Sequence, residues 1–133
     1  MPEKINWTVT VQVVGGPKLS EARTLEVEAY DLLEVEVPDG DDTTPGRLLV
    51  NVQPGGAGQV KFLMVSSDLY DDALTYTVDG DPTEVHLNDL QLFIGGGAVT
   101  LLGDTQNQFA FVNRANQGRP AFVKILVGRK ATA

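Results

Sequence analysis

Residues 92–113 read LFIGGGAVTLLGDTQNQFAFVN. Three short apolar runs are cut by two glycine-bearing breaks. Leu92-Phe93-Ile94 meets Gly95-Gly96-Gly97, Ala98 to Leu102 meets Gly103-Asp104, and Phe109 to Val112 closes the stretch. Apolar runs of this length bounded by Gly and Asp predict strands at the centre of a sheet. A strand is therefore expected over 98–102, with the glycines as chain reversals.

Outward from that stretch the same grammar repeats. Ile5, Trp7, Val9, Val11 and Val13 alternate with Asn6, Thr8, Thr10 and Gln12. This is the clearest period-two signal in the chain, and it phases Trp7 toward a core. Residues 19–24 predict a short turn or loop. Leu25, Val27 and Ala29 resume the alternation, and Leu33, Val35 and Val37 continue it with Glu34 and Glu36 outward. Asp31 falls in the inward phase, where a lone carboxylate is costly to bury, so a bulge, bend or sheet change is expected near Tyr30–Leu32. Residues 48–65 predict a hairpin turning at 54–58, and residues 74–87 a second one around Asp79-Gly80-Asp81-Pro82. One helical turn capped by Ser67 or Asp68 is expected between them. Ala121–Val127 is the last predicted strand, and 128–133 is expected to fray.

Turn signals every 8–12 residues and no sustained helical period predict an all-β fold. The expected form is an antiparallel β-sandwich, jelly-roll-like, of about nine to ten short strands. The 133 residues fit a single domain, 1–133, with short flexible termini. Hydrophobic residues make up 42% and charged ones 21%, enough apolar matter for a core. There is no cysteine, which excludes disulfides and thiolate metal sites. The first residues show no signal-peptide pattern, and no apolar run approaches the roughly 20 residues of a membrane span. A cytoplasmic setting or an assembled particle is expected.

The net charge of −8 argues against nucleic acid as a partner. The distribution is uneven. All 18 acids and five basic residues lie in 1–104, a net −13. Residues 105–133 hold Arg114, Arg119, Lys124, Arg129, Lys130 and no acid, a net +5. The basic segment can orient one copy against another, or pair with acidic strands of its own domain.

Catalytic constellations are missing. His86 is the only histidine and is expected to be an exposed strand residue, with no nucleophile elbow to serve. Glu26, Glu28, Glu34 and Glu36 alternate outward, as strand geometry alone requires. Gly95–Gly97 lacks the lysine and following helix of a phosphate loop. No enzyme activity is expected and no cofactor is required. Calcium is the one possible ion. Asp39, Asp41 and Asp42 form the candidate metal cluster, with Asp68, Asp71, Asp72, Asp79 and Asp81 in other acidic turns, and none fits an EF-hand. The alternative role, a ligand-binding module for glycans with or without calcium, would rely on Tyr30 and Tyr70.

The apolar runs at 60–65, 90–94 and 98–102 alternate poorly, so both faces are apolar and one domain covers only one of them well. The expected role is a non-enzymatic structural subunit of a symmetric oligomer or larger particle, of virion coat or decoration type. Phe93, Leu101, Leu102, Arg114, Arg119, Arg129 and Lys130 are the expected interface residues, with another copy or an assembly protein as partner and neither nucleic acid nor membrane.

Overall fold

Alternation at the start of the chain builds a free-standing ribbon. A computed structural model describes residues 3–52 and 56–130. In it β1 (Glu3–Gln12) pairs antiparallel with β2 (Lys18–Val27), in register from Glu3 opposite Val27 to Gln12 opposite Lys18. The loop expected at 19–24 is thus the middle of a strand. Cross-strand hydroxyl and amide pairs hold it, Thr10 with Ser20 at 3.1 Å and Thr24 donating to Asn6 at 2.7 Å. The two strands form a sheet of their own.

The chain bends at Glu28, whose N–H donates to the Arg129 carbonyl at 2.9 Å, and enters β3 (Ala29–Val37). The remaining strands are β4 (Gly46–Asn51), β5 (Val60–Ser67), β6 (Leu74–Val78), β7 (Val85–His86), β8 (Gln91–Ile94), β9 (Gln108–Asn113) and β10 (Ala121–Arg129). Beyond the ribbon there are two four-stranded antiparallel sheets, ordered β3-β10-β5-β8 and β4-β9-β6-β7. The protein is all-β, with one short helix among the described residues. That helix is far too short to cross a membrane.

Three expectations fail for physical reasons. The 48–65 hairpin does not form: β4 pairs with β9, while β5 pairs with β10 and β8 in the other sheet. Gln53, Pro54 and Gly55 of its turn lie outside the described residues. The irregularity expected near Tyr30–Leu32 falls at Glu28, where the chain bends and changes sheet; β3 itself runs unbroken through Asp31, which pairs with Arg129 Nη2 at 3.7 Å. No helical turn follows Ser67, whose Oγ instead accepts the Leu69 N–H at 3.1 Å in a bend. Residues 96–102 form a helical turn α1 (Gly96–Val99) and a 3-10 turn (Thr100–Leu102), not a strand. Gly95 at φ 88° turns the chain, and the Val99 N–H bonds its carbonyl at 3.2 Å. Val99 and Leu102, three residues apart, then both reach the core. Gln106 Nε2 closes the turn on the Gly103 carbonyl at 2.7 Å.

The 74–87 hairpin forms as expected, with Thr75 opposite His86 and Tyr76 opposite Val85. The inward faces of the two sheets share one core. Val37, Leu63, Val65, Val123, Ile125 and Val127 come from one sheet, and Val50, Leu74, Tyr76, Phe109 and Phe111 from the other. Phe109 stacks on Phe111, and Tyr76 meets the first edge-on and the second tilted, with ring centroids 5.5–6.5 Å apart. The Tyr76 hydroxyl donates to Gln91 Oε1 at 2.6 Å, tying β6 to β8 of the opposite sheet.

Candidate interaction surface

Strand register decides which side chains face out. On the β3-β10-β5-β8 sheet, Leu32, Leu126, Met64 and Leu92 are register neighbours, one from each strand. Tyr30, Gly128, Phe62 and Ile94 form the adjacent row. Two apolar rows therefore cross the entire outer face. Tyr30 and Leu32 are open, the latter 58% exposed, and Leu126, Met64, Leu92 and Ile94 are half-buried. Phe62 is buried because the base of the β1-β2 ribbon sits over it. A Cβ added at Gly128 would lie 2.7 Å from Ile5 Cδ1, 3.3 Å from Val27 Cγ1 and 3.3 Å from Phe62 Cβ, so glycine lets the ribbon base approach closely here. Beyond the apolar rows come Glu34 and Lys124, which pair at 3.6 Å, then Glu36 and the exposed Phe122.

The ribbon is the second part of the surface. Its apolar face carries Ile5, Trp7, Val9 and Val11 opposite Leu25, Arg23, Glu21 and Leu19. Burial falls along it: Val27 at the base is buried, Ile5, Trp7 and Val9 are half-buried, and Val11 is 57% and Leu19 69% exposed. Trp7, expected in the core, is thus a ribbon residue. Arg23 and Glu21 pair at 3.6 Å on the same face.

The residues expected at an interface scatter. Phe93 points inward and, like Leu102, packs against the core, while Leu101 is 81% exposed. The basic segment is largely satisfied within the chain. Arg114 pairs with Glu84 at 3.9 Å and Arg119 with Asp68 at 3.1 Å. Arg129, expected in a frayed tail, ends β10, is buried and pairs with Asp31. Burial pulls its guanidinium below its ordinary value, and the Asp31 charge opposes this. Lys130 is exposed, and its backbone N–H bonds the Gln59 carbonyl at 2.8 Å. Four of the five basic residues of 105–133 thus pair with acids of the same chain, Lys124 with Glu34 among them.

The acidic turns likewise do structural work. Asp41 Oδ1 accepts the N–H groups of Thr43 and Thr44 at 2.9 and 2.7 Å. Asp39 and Asp42 flank it in an exposed loop. Asp71 accepts from the Ala73 N–H and Asp68 from the Phe122 N–H. Asp81 accepts from the Thr83 N–H, which holds its carboxyl below the ordinary carboxylate value. Asp79 Oδ1 accepts the Asn107 and Gln108 N–H groups at 2.9 and 2.7 Å, and its Oδ2 takes the Thr105 hydroxyl. Among the described residues, no three His, Cys, Asp or Glu side chains converge as a metal site. His86 is exposed, and its Nδ1 meets the Asp72 carbonyl at 2.7 Å. Tyr70 uses its hydroxyl to accept the Ser67 N–H, and Tyr30 belongs to the apolar rows.

Alternation revealed the ribbon's apolar face but not that solvent meets it. The apolar rows were signalled by Val60–Val65 and Leu90–Ile94, where hydrophobic residues fall on both phases. Compared with known family models and with curated proteins, the chain has no match.

Proposed function

We propose that the chain is a non-enzymatic structural subunit that packs through the outer face of its β3-β10-β5-β8 sheet into a symmetric oligomer or a larger shell, in a coat or decoration role. The observation that carries this reading is the apolar row Leu32, Leu126, Met64 and Leu92, which crosses all four strands of that face beside the ribbon's seat. Monomeric soluble proteins seldom leave such a continuous apolar area to water.

The architecture read here is a jelly-roll sandwich. The ladders β3-β10, β4-β9, β5-β8 and β6-β7 support it. They describe one long antiparallel ribbon, with β3 to β6 running out and β7 to β10 running back. Rolling that ribbon up brings β10 beside β5 and β9 beside β6, the two lateral ladders of the sheets. Such a subunit is a rigid plate with two faces and short edges, a shape suited to tiling.

Light scattering on the full chain and on Leu32→Lys tests the role. The expected result is a mass above the monomer for the natural chain and a shift toward monomer for the variant. Leu32 is exposed in the single copy, so the fold tolerates the lysine. A natural chain that stays monomeric at all concentrations removes the proposal.

A further inference from the structure

The β1-β2 ribbon has more apolar surface than its own body covers. A two-stranded ribbon alone is marginal in water. Yet the outer half of this one keeps Val11 and Leu19 on one face with no third strand beside them. We propose that the ribbon is an exchange arm: it lies, apolar face down, across the apolar rows of a second copy, and that copy's arm returns the contact about a two-fold axis. This rests on the assembly reading above and names its contact.

Three observations choose a second copy as the occupant. The first is a contact already in place within one chain. At Gly128 the base of the arm sits on this same outer face, with Ile5 and Val27 gathered around that glycine beside the buried Phe62. The sheet therefore accepts arm residues where the arm can reach it, and the rows beyond (Leu32, Leu126, Met64, Leu92) continue that seat.

The second is charge. Residues 3–27 hold Lys4, Lys18 and Arg23 against Glu3, Glu21 and Glu26, a net of zero, so the rest of the chain carries the whole −8. Two acidic bodies repel when brought face to face, whereas a neutral arm approaches an acidic body without that cost. The detail also matches. The arm face offers Arg23 and Glu21, and the rows are bordered by Glu34, Glu36 and Lys124.

The third is area. Ten-residue strands span about 33 Å and two strands about 10 Å, so the free outer half of one arm face covers about 165 Å². Reciprocal exchange covers two free arm halves and the two strips of sheet beneath them, about 660 Å² in all, the size of a weak, reversible contact. A one-way contact would cover half of that. Two-fold exchange is also the commonest way for identical subunits to close.

The experiment uses two variants of the full chain, Val11→Lys/Leu19→Lys on the arm and Leu32→Lys on the rows, with native mass spectrometry and sedimentation as readouts. All three positions are exposed in the single copy, so each variant is expected to melt within a few degrees of the natural chain. Each alone should weaken dimerisation at least tenfold. Mixed together they should form a heterodimer more readily than either forms a homodimer. One pairing in that mixture joins an intact arm to intact rows. If the arm variant keeps the natural mass, the exchange arm is wrong while the assembly reading stands. If the arm variant dissociates, Leu32→Lys does not, and mixing restores nothing, the arms pack on each other and the proposal fails. A natural chain that is monomeric throughout overturns both.

Discussion

Asp31 and Arg129 should respond unequally to mutation. The Arg129 side chain is 7% exposed and that of Asp31 25%, with the charged atoms 3.7 Å apart. Removing one member of a buried pair costs about 3–5 kcal/mol when the survivor stays dry, and much less when it can reach water. Asp31→Ala strands the drier charge and should cost about 3 kcal/mol. Arg129→Met takes one partner from a carboxylate that water already touches and should cost about 1–2 kcal/mol. Replacing both, Asp31→Leu with Arg129→Met, removes the desolvation cost along with the attraction, so stability should return to within about 1 kcal/mol of the natural chain. Unfolding entropy for 133 residues is about 280 cal/mol/K, so 1 kcal/mol is about 3.5 °C in Tm. The three variants should therefore melt about 11 °C below, about 4–7 °C below, and within about 4 °C of the natural chain. Calorimetry at pH 7 on the double-mutant cycle reads all three. Equal losses from the two single variants, or a double variant as unstable as their sum, would refute the claim that Arg129 answers the inward carboxylate.

Three further outcomes are expected. Asp79→Ala should lower Tm by about 7 °C, or about 2 kcal/mol, because three donors lose their acceptor and alanine must take φ 53°; Asp79→Asn should lose less, since it keeps an acceptor and tolerates that backbone. Burial raises the Tyr76 phenol well above its ordinary 10.0. The neutral ring is thus favoured by the fold, its contribution is complete below pH 10 and lost as pH climbs above it, and Tyr76→Phe should cost about 1–2 kcal/mol at neutral pH yet flatten the alkaline loss in a pH-stability series. Millimolar calcium should leave Tm unchanged, since Asp41 already serves two backbone amides, and a rise of several degrees that chelator reverses would reinstate an ion at Asp39, Asp41 and Asp42.

The alternation at Ile5–Gln12, Leu33–Val37, Phe109–Phe111 and Ala121–Val127 was legible because period two is unambiguous where polar residues occupy the other phase. The run at 98–102 was not, since five residues rich in apolar side chains suit a strand and a helical turn equally. Pairing was legible only for the short 74–87 turn. For 48–65 the deciding partners, β9 and β10, lie far along the chain, so local patterning was silent. Asp31 read as a defect because its counter-charge sits at Arg129. The candidate surface was half legible: two-phase apolar runs marked the rows, but alternation shows that a face is apolar and not what lies against it. This is why Trp7 and Val11 read as core.

The most direct test of the account is sedimentation equilibrium of the natural chain across a hundredfold dilution, at about 0.1 M and 1 M salt. Association through apolar rows predicts a mass above the 14.3 kDa monomer that holds or rises at 1 M, because salt screens charge and spares apolar burial. A 14.3 kDa particle at every concentration, or an assembly that high salt dissolves, would contradict it.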